Sequence, residues 1–390
     1  MRAIVVGAGI GGLTATLSLL RAGHEVTLVE QSRRLTEIGA GIQLAPNATR
    51  ALRRLGLLDT VAAHATRPGH ISFRTWSDGS EICRYVIGRE AEKEFGAPYL
   101  QLHRADLQRA LVAAVPPDAL RLATAVVGID QDDRAAHVTT ASGERLDADV
   151  VVAADGIRSA ARQWLFGADE AVFSHTAAYR ALLPAAEVAD LDLPEYAGWL
   201  GPDRHVVHYW LRGGELLNLV AVFVTDRVAQ ESWTALAEPG EQLRTFAGWD
   251  PRLLTVLDRA GQMFRYGIHT RAPLPRWNLG RVTLLGDSAH AMVPFQAQGA
   301  AQAVMDAAVL GDCLTDTAPD EVPEALGRYV RRRAPAATAV QASSARAGDD
   351  YHLPDGPEAE SRNARLIALA AENRFGPHSA AWRLDPQPDD

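Results

Sequence analysis

The chain has 390 residues, 47% of them apolar and 22% charged, which allows a sizeable core in two lobes and excludes wholesale disorder. Its 39 basic and 48 acidic residues give a formal charge of −9, which argues against a protein that lives on nucleic-acid phosphates. Two cysteines, Cys83 and Cys313, are too few for a disulfide framework and wrongly spaced for zinc, and no uncharged apolar run reaches the roughly 18 residues of a membrane span, so a cytoplasmic protein without metal or membrane is expected.

The apolar run Ala3 to Val6 reads as a buried strand, Gly9 to Arg21 as a helix with Leu13, Leu17 and Leu20 on one side, and Glu25 to Val29 as a second strand. Between the first strand and the helix, Gly7-Ala8-Gly9-Ile10-Gly11-Gly12 places glycines at the first, third and sixth positions of GxGxxG, with Gly11 in addition. The first allows a tight turn, the second lets backbone approach a pyrophosphate, and the last lets helix and strand pack closely, while the helix N-terminus offers unpaired N–H groups. Glu30 ends the second strand, where a carboxylate accepts hydrogen bonds from ribose hydroxyls and repels a 2′-phosphate. The unit therefore favours the ADP of FAD or NAD over NADP and does not by itself choose between those two.

Further along, Ile38 to Ala45 is extended, and Pro46-Asn47 opens a helix to about Leu55. His103-Arg104-Ala105-Asp106-Leu107 starts another helix. From Leu120 the pattern turns to β and ends in the buried run Asp149 to Ala154, followed by Asp155-Gly156. A second, mainly β lobe follows, with strands at His205 to Leu211 and Leu216 to Val224 and helices around Glu231 to Trp249. The chain returns with a strand, Arg281 to Leu285, then Gly286-Asp287, Pro294, and a helix from about Gln298 to Leu314. The expected division is a discontinuous nucleotide lobe, 1–171 and 270–345, an inserted β-sheet lobe, 172–269, and a helical tail, 346–390. Asp385 to Asp390 is expected to fray.

The glycine loop, Asp155-Gly156-Ile157-Arg158-Ser159 and Gly286-Asp287 through Gln298-Gly299-Ala300-Ala301, taken in order, resemble the FAD-dependent aromatic hydroxylases, the single-component flavoprotein monooxygenases of the para-hydroxybenzoate and salicylate hydroxylase type. The resemblance spans residues 1 to about 345, and Pro294-Phe295-Gln296-Ala297-Gln298-Gly299 looks like the salicylate, 3-hydroxybenzoate and 6-hydroxynicotinate branch. It implies an α/β fold with a Rossmann-like FAD lobe and an inserted mainly-β substrate lobe. It also implies bound FAD, NADPH or NADH as co-substrate, and transfer of one atom of O2 to an electron-rich aromatic ring. An N-heterocycle or a polyketide-type intermediate is the alternative ring, and a monomer or homodimer is expected. Departures from the family pattern are Ser288 where many members have alanine, Ala297 where they have glycine, and Ala301 where they have asparagine.

By the same resemblance, Asp287 bonds a ribitol hydroxyl, Gln298 and Gly299 face the flavin pyrimidine edge, Arg104 reaches the phosphates, and Asp155-Gly156 serves FAD and NADPH. Period-two alternation sends His205, Val207, Tyr209 and Leu211 to one face of their strand and Val206, His208 and Trp210 to the other. The resemblance gives His205 the ring-hydroxyl proton and Tyr209 the orienting of the ring. Pro294, Phe295 and Gln296 are the next pocket residues, and His290 is expected to pack near the cofactor. The alternating Leu217, Leu219, Ala221 and Phe223 either face the ring or form sheet core.

Overall fold

The computed structural model describes residues 1–35, 40–167, 170–227, 235–372 and 375–384. The tail from Asp385 to Asp390, Ile38 at the start of the extended segment, and Glu231 at the start of the expected helix lie outside the described residues.

The N-terminal unit forms as its apolar pattern demands. Strand Arg2–Val6 pairs in parallel with Glu25–Val29 on one side and with Val150–Ala153 on the other, and Val282–Leu284 continues the parallel set. Short strands Asn278–Leu279 and Leu120–Arg121 finish a six-stranded sheet. Helix Ile10–Arg21 is buried nearly all round, Leu13 and Leu19 completely, because helix Gly299–Leu314 packs against it. That second helix is alanine-rich, and at Gly311 a Cβ would stand 2.1 Å from Ser18 Oγ, so the small residue sets the helix separation. Each fully buried leucine here contributes about 1.5–3 kcal/mol.

The second lobe is a seven-stranded sheet in the order Phe264–Thr270, Val172–Pro184, Leu216–Val224, Arg204–Leu211, Tyr196–Gly201, His70–Thr75, Glu81–Val86. Two of its strands come from residues 70–86, so the sheet is not confined to the 172–269 span. Hydrogen bonding at the open edge of Tyr196–Gly201, paired in parallel with His70–Thr75, recruits them. One face carries Leu217, Leu219, Ala221 and Phe223 into a core with Trp249 and Leu253, which settles that row as sheet core. The opposite face is turned towards the nucleotide lobe.

Position 345, expected as a boundary, falls inside one continuous helix, Val322–Tyr351. Its last turn and the segment 375–384 return to the junction of the lobes. There Arg50 donates to the carbonyls of Trp382, at 2.7 Å, and Leu384, at 2.9 Å.

Candidate active site

Steric demand at two glycines shapes the phosphate loop. Gly7 has φ +99°, and a Cβ there would fall 2.5 Å from Ala154 O; at Gly12 a Cβ would fall 1.8 Å from Gly7 O. Both positions press helix, strand and turn together, and neither lines the cavity that follows. Gly9 and Gly11 do line it, and Gly9, with open space where its Cβ would be, caps the helix without a side-chain bond. The first N–H groups of a 12-residue helix therefore open on the cavity. Glu30 is fixed beside them, its two oxygens accepting from Ala8 N and Ser32 N at 2.8 Å each. Lone pairs remain on both oxygens for hydroxyl donors.

The two aspartates, alike in sequence, stand differently. Asp155 accepts from Ser288 Oγ at 3.0 Å and from Ala161 N at 3.1 Å, and Ser288 Oγ accepts in turn from Gly156 N at 3.0 Å. The Asp155 carboxylate thus ties two strand-end turns together, and it is Gly156 that lines the cavity. Asp287 is exposed, lines the cavity, and has no protein hydrogen bond among the described residues. Gly286 N is held by Asp306 Oδ2 at 3.1 Å, and Asp306 also takes His290 Nε2 at 2.6 Å and Arg333 Nε at 2.7 Å. Burial opposes the charge on Asp306, but His290 and Arg333 outweigh it and hold the carboxyl below its usual range. His290 is therefore part of a buried brace behind the turn rather than a cavity residue.

Gln298 also lies behind the cavity, its Oε1 accepting from Asn47 and Gln302 at 3.0 Å each. Gly299 lines the cavity and opens the 16-residue helix, whose N-terminus has no side-chain cap. Arg104, first residue of helix Arg104–Ala114, lines the cavity as well.

The cavity measures about 550 Å³ and runs from the glycine loop to the seven-stranded sheet. His205, Val207 and Tyr209 face it together, as alternation requires, while His208 points the other way. His208 Nδ1 accepts from Trp199 Nε1 at 3.1 Å and its Nε2 donates to Pro194 O at 3.0 Å, so that ring is structural. Cross-strand register sets three rows on the cavity face: Leu200–His205–Val222, Gly198–Val207–Val220–Arg180, and Tyr196–Tyr209–Asn218. Pro294, Phe295 and Gln296 form a 3₁₀ turn along the wall, with Phe295 edge-on to His205 at 5.2 Å. Ala297, at φ +53°, holds the left-handed conformation that glycine adopts without strain.

Several cavity residues escaped the sequence. Arg180, a lone charge in an otherwise apolar stretch of strand Val172–Pro184, is buried beneath the cavity with its guanidinium over Tyr266; its placement in an apolar run was a usable signal. Tyr99 and Tyr196 both donate to Gln43 Oε1, at 3.0 and 3.1 Å, leaving the buried Gln43 Nε2 without a hydrogen-bond partner among the described residues. Tyr351, His378 and Trp382 close the cavity from the C-terminal segment, and His352 sits behind His205. Burial pushes His205 well below 6.5, with His352 adding to the effect, and holds His352 and His378 at about 4. All three rings are neutral at pH 7.

Two helix N-termini without side-chain caps, glycines that admit a close backbone approach, the Glu30 carboxylate fixed beside the loop and the open Asp287 carboxylate together fit FAD, whose pyrophosphate and hydroxyl groups call for such partners. A flavin site joined to an apolar pocket with a neutral histidine defines a flavin-dependent oxidoreductase. Residues 1–344 match the family described as FAD binding domain. The chain is 39% identical to 3-amino-4-hydroxybenzoate 2-monooxygenase PtmB3 of Streptomyces platensis, covering 94% of this chain and 92% of the relative. It is 36% identical to 3-hydroxybenzoate 6-hydroxylase of Klebsiella oxytoca, covering 93% and 91%. A salicylate hydroxylase solved as a substrate complex superposes with a TM-score of 0.82 at 28% identity, covering 100% of this chain and 98% of that one. The chain belongs to the FAD-dependent aromatic hydroxylases, and it is an FAD-dependent, NAD(P)H-consuming monooxygenase. Among the described residues no helix is long and apolar enough to cross a membrane, and no group of side chains is arranged to hold a metal.

Proposed function

We propose that the ring hydroxylated is a benzoate carrying a hydroxyl or amino group, bound with its activating substituent at His205 and its carboxylate towards Arg180. The observation that carries this reading is the register of the sheet. It sets a buried cation, Arg180, in the row next to a neutral imidazole, His205, on one apolar face inside the cavity. When bound, FAD supplies the two-electron chemistry that links NAD(P)H oxidation to O2 activation. The chain supplies the rest. His205 Nε2 makes no protein hydrogen bond among the described residues and takes the proton of a ring hydroxyl, which raises ring electron density. Tyr209 and the Gln43 amide orient the polar substituents. Val207, Val220, Val222 and Ile268 give the ring a dry wall. The helix N-terminus at Gly299 stabilises negative charge held in the cavity, and Glu30, Arg104, Asp287 and the loop Gly7–Gly12 hold the dinucleotide. The relatives' action on amino- and hydroxybenzoates supports the same substrate class. Two unpaired, buried cysteines and the need for NAD(P)H fit a cytoplasmic enzyme.

The test compares coupled product formation from hydroxy- and aminobenzoates with that from the same rings lacking the carboxylate, in wild type and Arg180→Met. A charge-assisted contact of about 1.5–3 kcal/mol predicts roughly a 10- to 100-fold rise in KM for the acids alone. Equal kcat/KM for acids and their decarboxylated analogues would end the benzoate reading.

A further inference from the structure

His205 does not stand alone. Its Nδ1 lies 2.7 Å from Nε2 of His352, the residue that ends the long helix Val322–Tyr351. The ring centroids are 4.9 Å apart and the planes 27° from parallel, which at that nitrogen separation is edge-to-edge contact rather than face stacking. Phe295 and Tyr351 press on His205 at 5.2 and 5.4 Å and fix its orientation. His205 is 2% exposed, whereas His352 is only part-buried and stands beside Asp203, an exposed residue whose N–H donates to His352 O at 3.0 Å. The pair therefore leads from the cavity towards solvent, and one proton must lie between the two nitrogens for the contact to hold.

We propose that His352 is the outer member of a two-imidazole proton relay connecting the substrate pocket with solvent. The inference rests on the reading of His205 as acceptor of the ring-hydroxyl proton. As the substrate binds, the ring O–H breaks and an N–H forms at His205 Nε2. The Nδ1 proton of His205 passes to His352 Nε2, and the Nδ1 proton of His352 leaves to water. No electrons move. When the phenolic product departs, a proton returns by the same hops, and both rings recover their starting tautomers. Because a buried imidazolium at His205 is unfavourable, the proton is passed on rather than stored, and the Asp203 carboxylate favours the transient charge at the outer ring.

The experiment uses full-length holoenzyme and a hydroxybenzoate whose phenolate is visible in the ultraviolet, mixed in a stopped flow with a pH indicator. His352→Gln keeps an acceptor for His205 Nδ1–H but cannot carry a proton; His352→Ala leaves room for added imidazole. The expected result is a drop of at least tenfold in phenolate formation and proton release for both variants, at unchanged FAD content, with recovery on adding imidazole to His352→Ala only. Release within twofold of wild type in both variants, while His205→Ala abolishes phenolate formation, overturns the relay and leaves the role of His205 standing. Absence of phenolate in wild type overturns both. Full rates in His352→Gln with slow rates in His352→Ala would make His352 a purely structural support and would also overturn the relay.

Discussion

Replacing Asp306 by Asn tests whether the buried brace behind the Gly286–Asp287 turn carries the flavin site. Asp306 is 0% and Arg333 3% exposed, and the carboxylate satisfies Arg333, His290 and Gly286 N simultaneously. Asparagine keeps the shape and leaves its oxygen to Arg333 Nε, but it removes the charge that balances the buried guanidinium and turns an NH2 towards Gly286 N and His290 Nε2. Removing one partner of a buried ion pair costs about 3–5 kcal/mol. At roughly 2 °C per kcal/mol for a large domain, Tm should fall by about 6–10 °C. The same change frees Gly286 N, so the turn that presents Asp287 loosens, and FAD affinity should fall at least tenfold. Differential scanning fluorimetry and flavin titration of the apoprotein read the two effects separately. The double variant Asp306→Leu/Arg333→Met removes both charges, so much of the stability should return while FAD affinity stays low. If Asp306→Asn melts within about 1 °C of wild type and binds FAD equally well, the brace has no such role.

Gly12→Ala places a Cβ against Gly7 O with no flexible group to yield, so the protein should be recovered without flavin absorbance or not at all; wild-type FAD content would refute the packing argument. Acidification should destabilise the fold through His208 and His378. Burial holds both at about 4 against 6.5 in the unfolded chain, so the unfolded state binds more protons between those limits and stability falls as pH drops through the window. Between pH 7 and pH 5 the loss is about 2 kcal/mol for each ring, read as a shift in the urea midpoint, and a midpoint independent of pH over that range would contradict it.

What the sequence disclosed and what it hid divide along a physical line. The glycine loop, its strands and Glu30 were legible because their demands are local: a turn with positive φ at Gly7, and a Cβ-free contact at Gly12. His205 and Tyr209 were legible because alternation along one strand fixes their common face. Asp155 and Asp287 were indistinguishable, since the difference between a tied and an open carboxylate is made by Ser288, whose hydroxyl reaches Asp155 across 133 positions of chain. The departure from alanine at Ser288 is what closes that turn.

The part that stayed hidden is the part contributed by the C-terminus. His352 meets His205 over a sequence separation of 147, and no periodicity links a helix end to a strand face. Its contact depends on where the 30-residue helix is anchored, through Gln341 to Ala291 O at 3.0 Å and Ser344 to Val293 O at 2.7 Å. Those bonds tie the helix to the segment that leads from the Gly286–Asp287 turn to Phe295. A single connected assembly therefore presents Asp287 and Phe295 to the cavity and His352 to the back of His205. It follows that substitutions at Gln341 or Ser344, far from any reacting atom, should slow proton release before they weaken FAD binding, because they shift the outer imidazole while Asp306 still holds the turn.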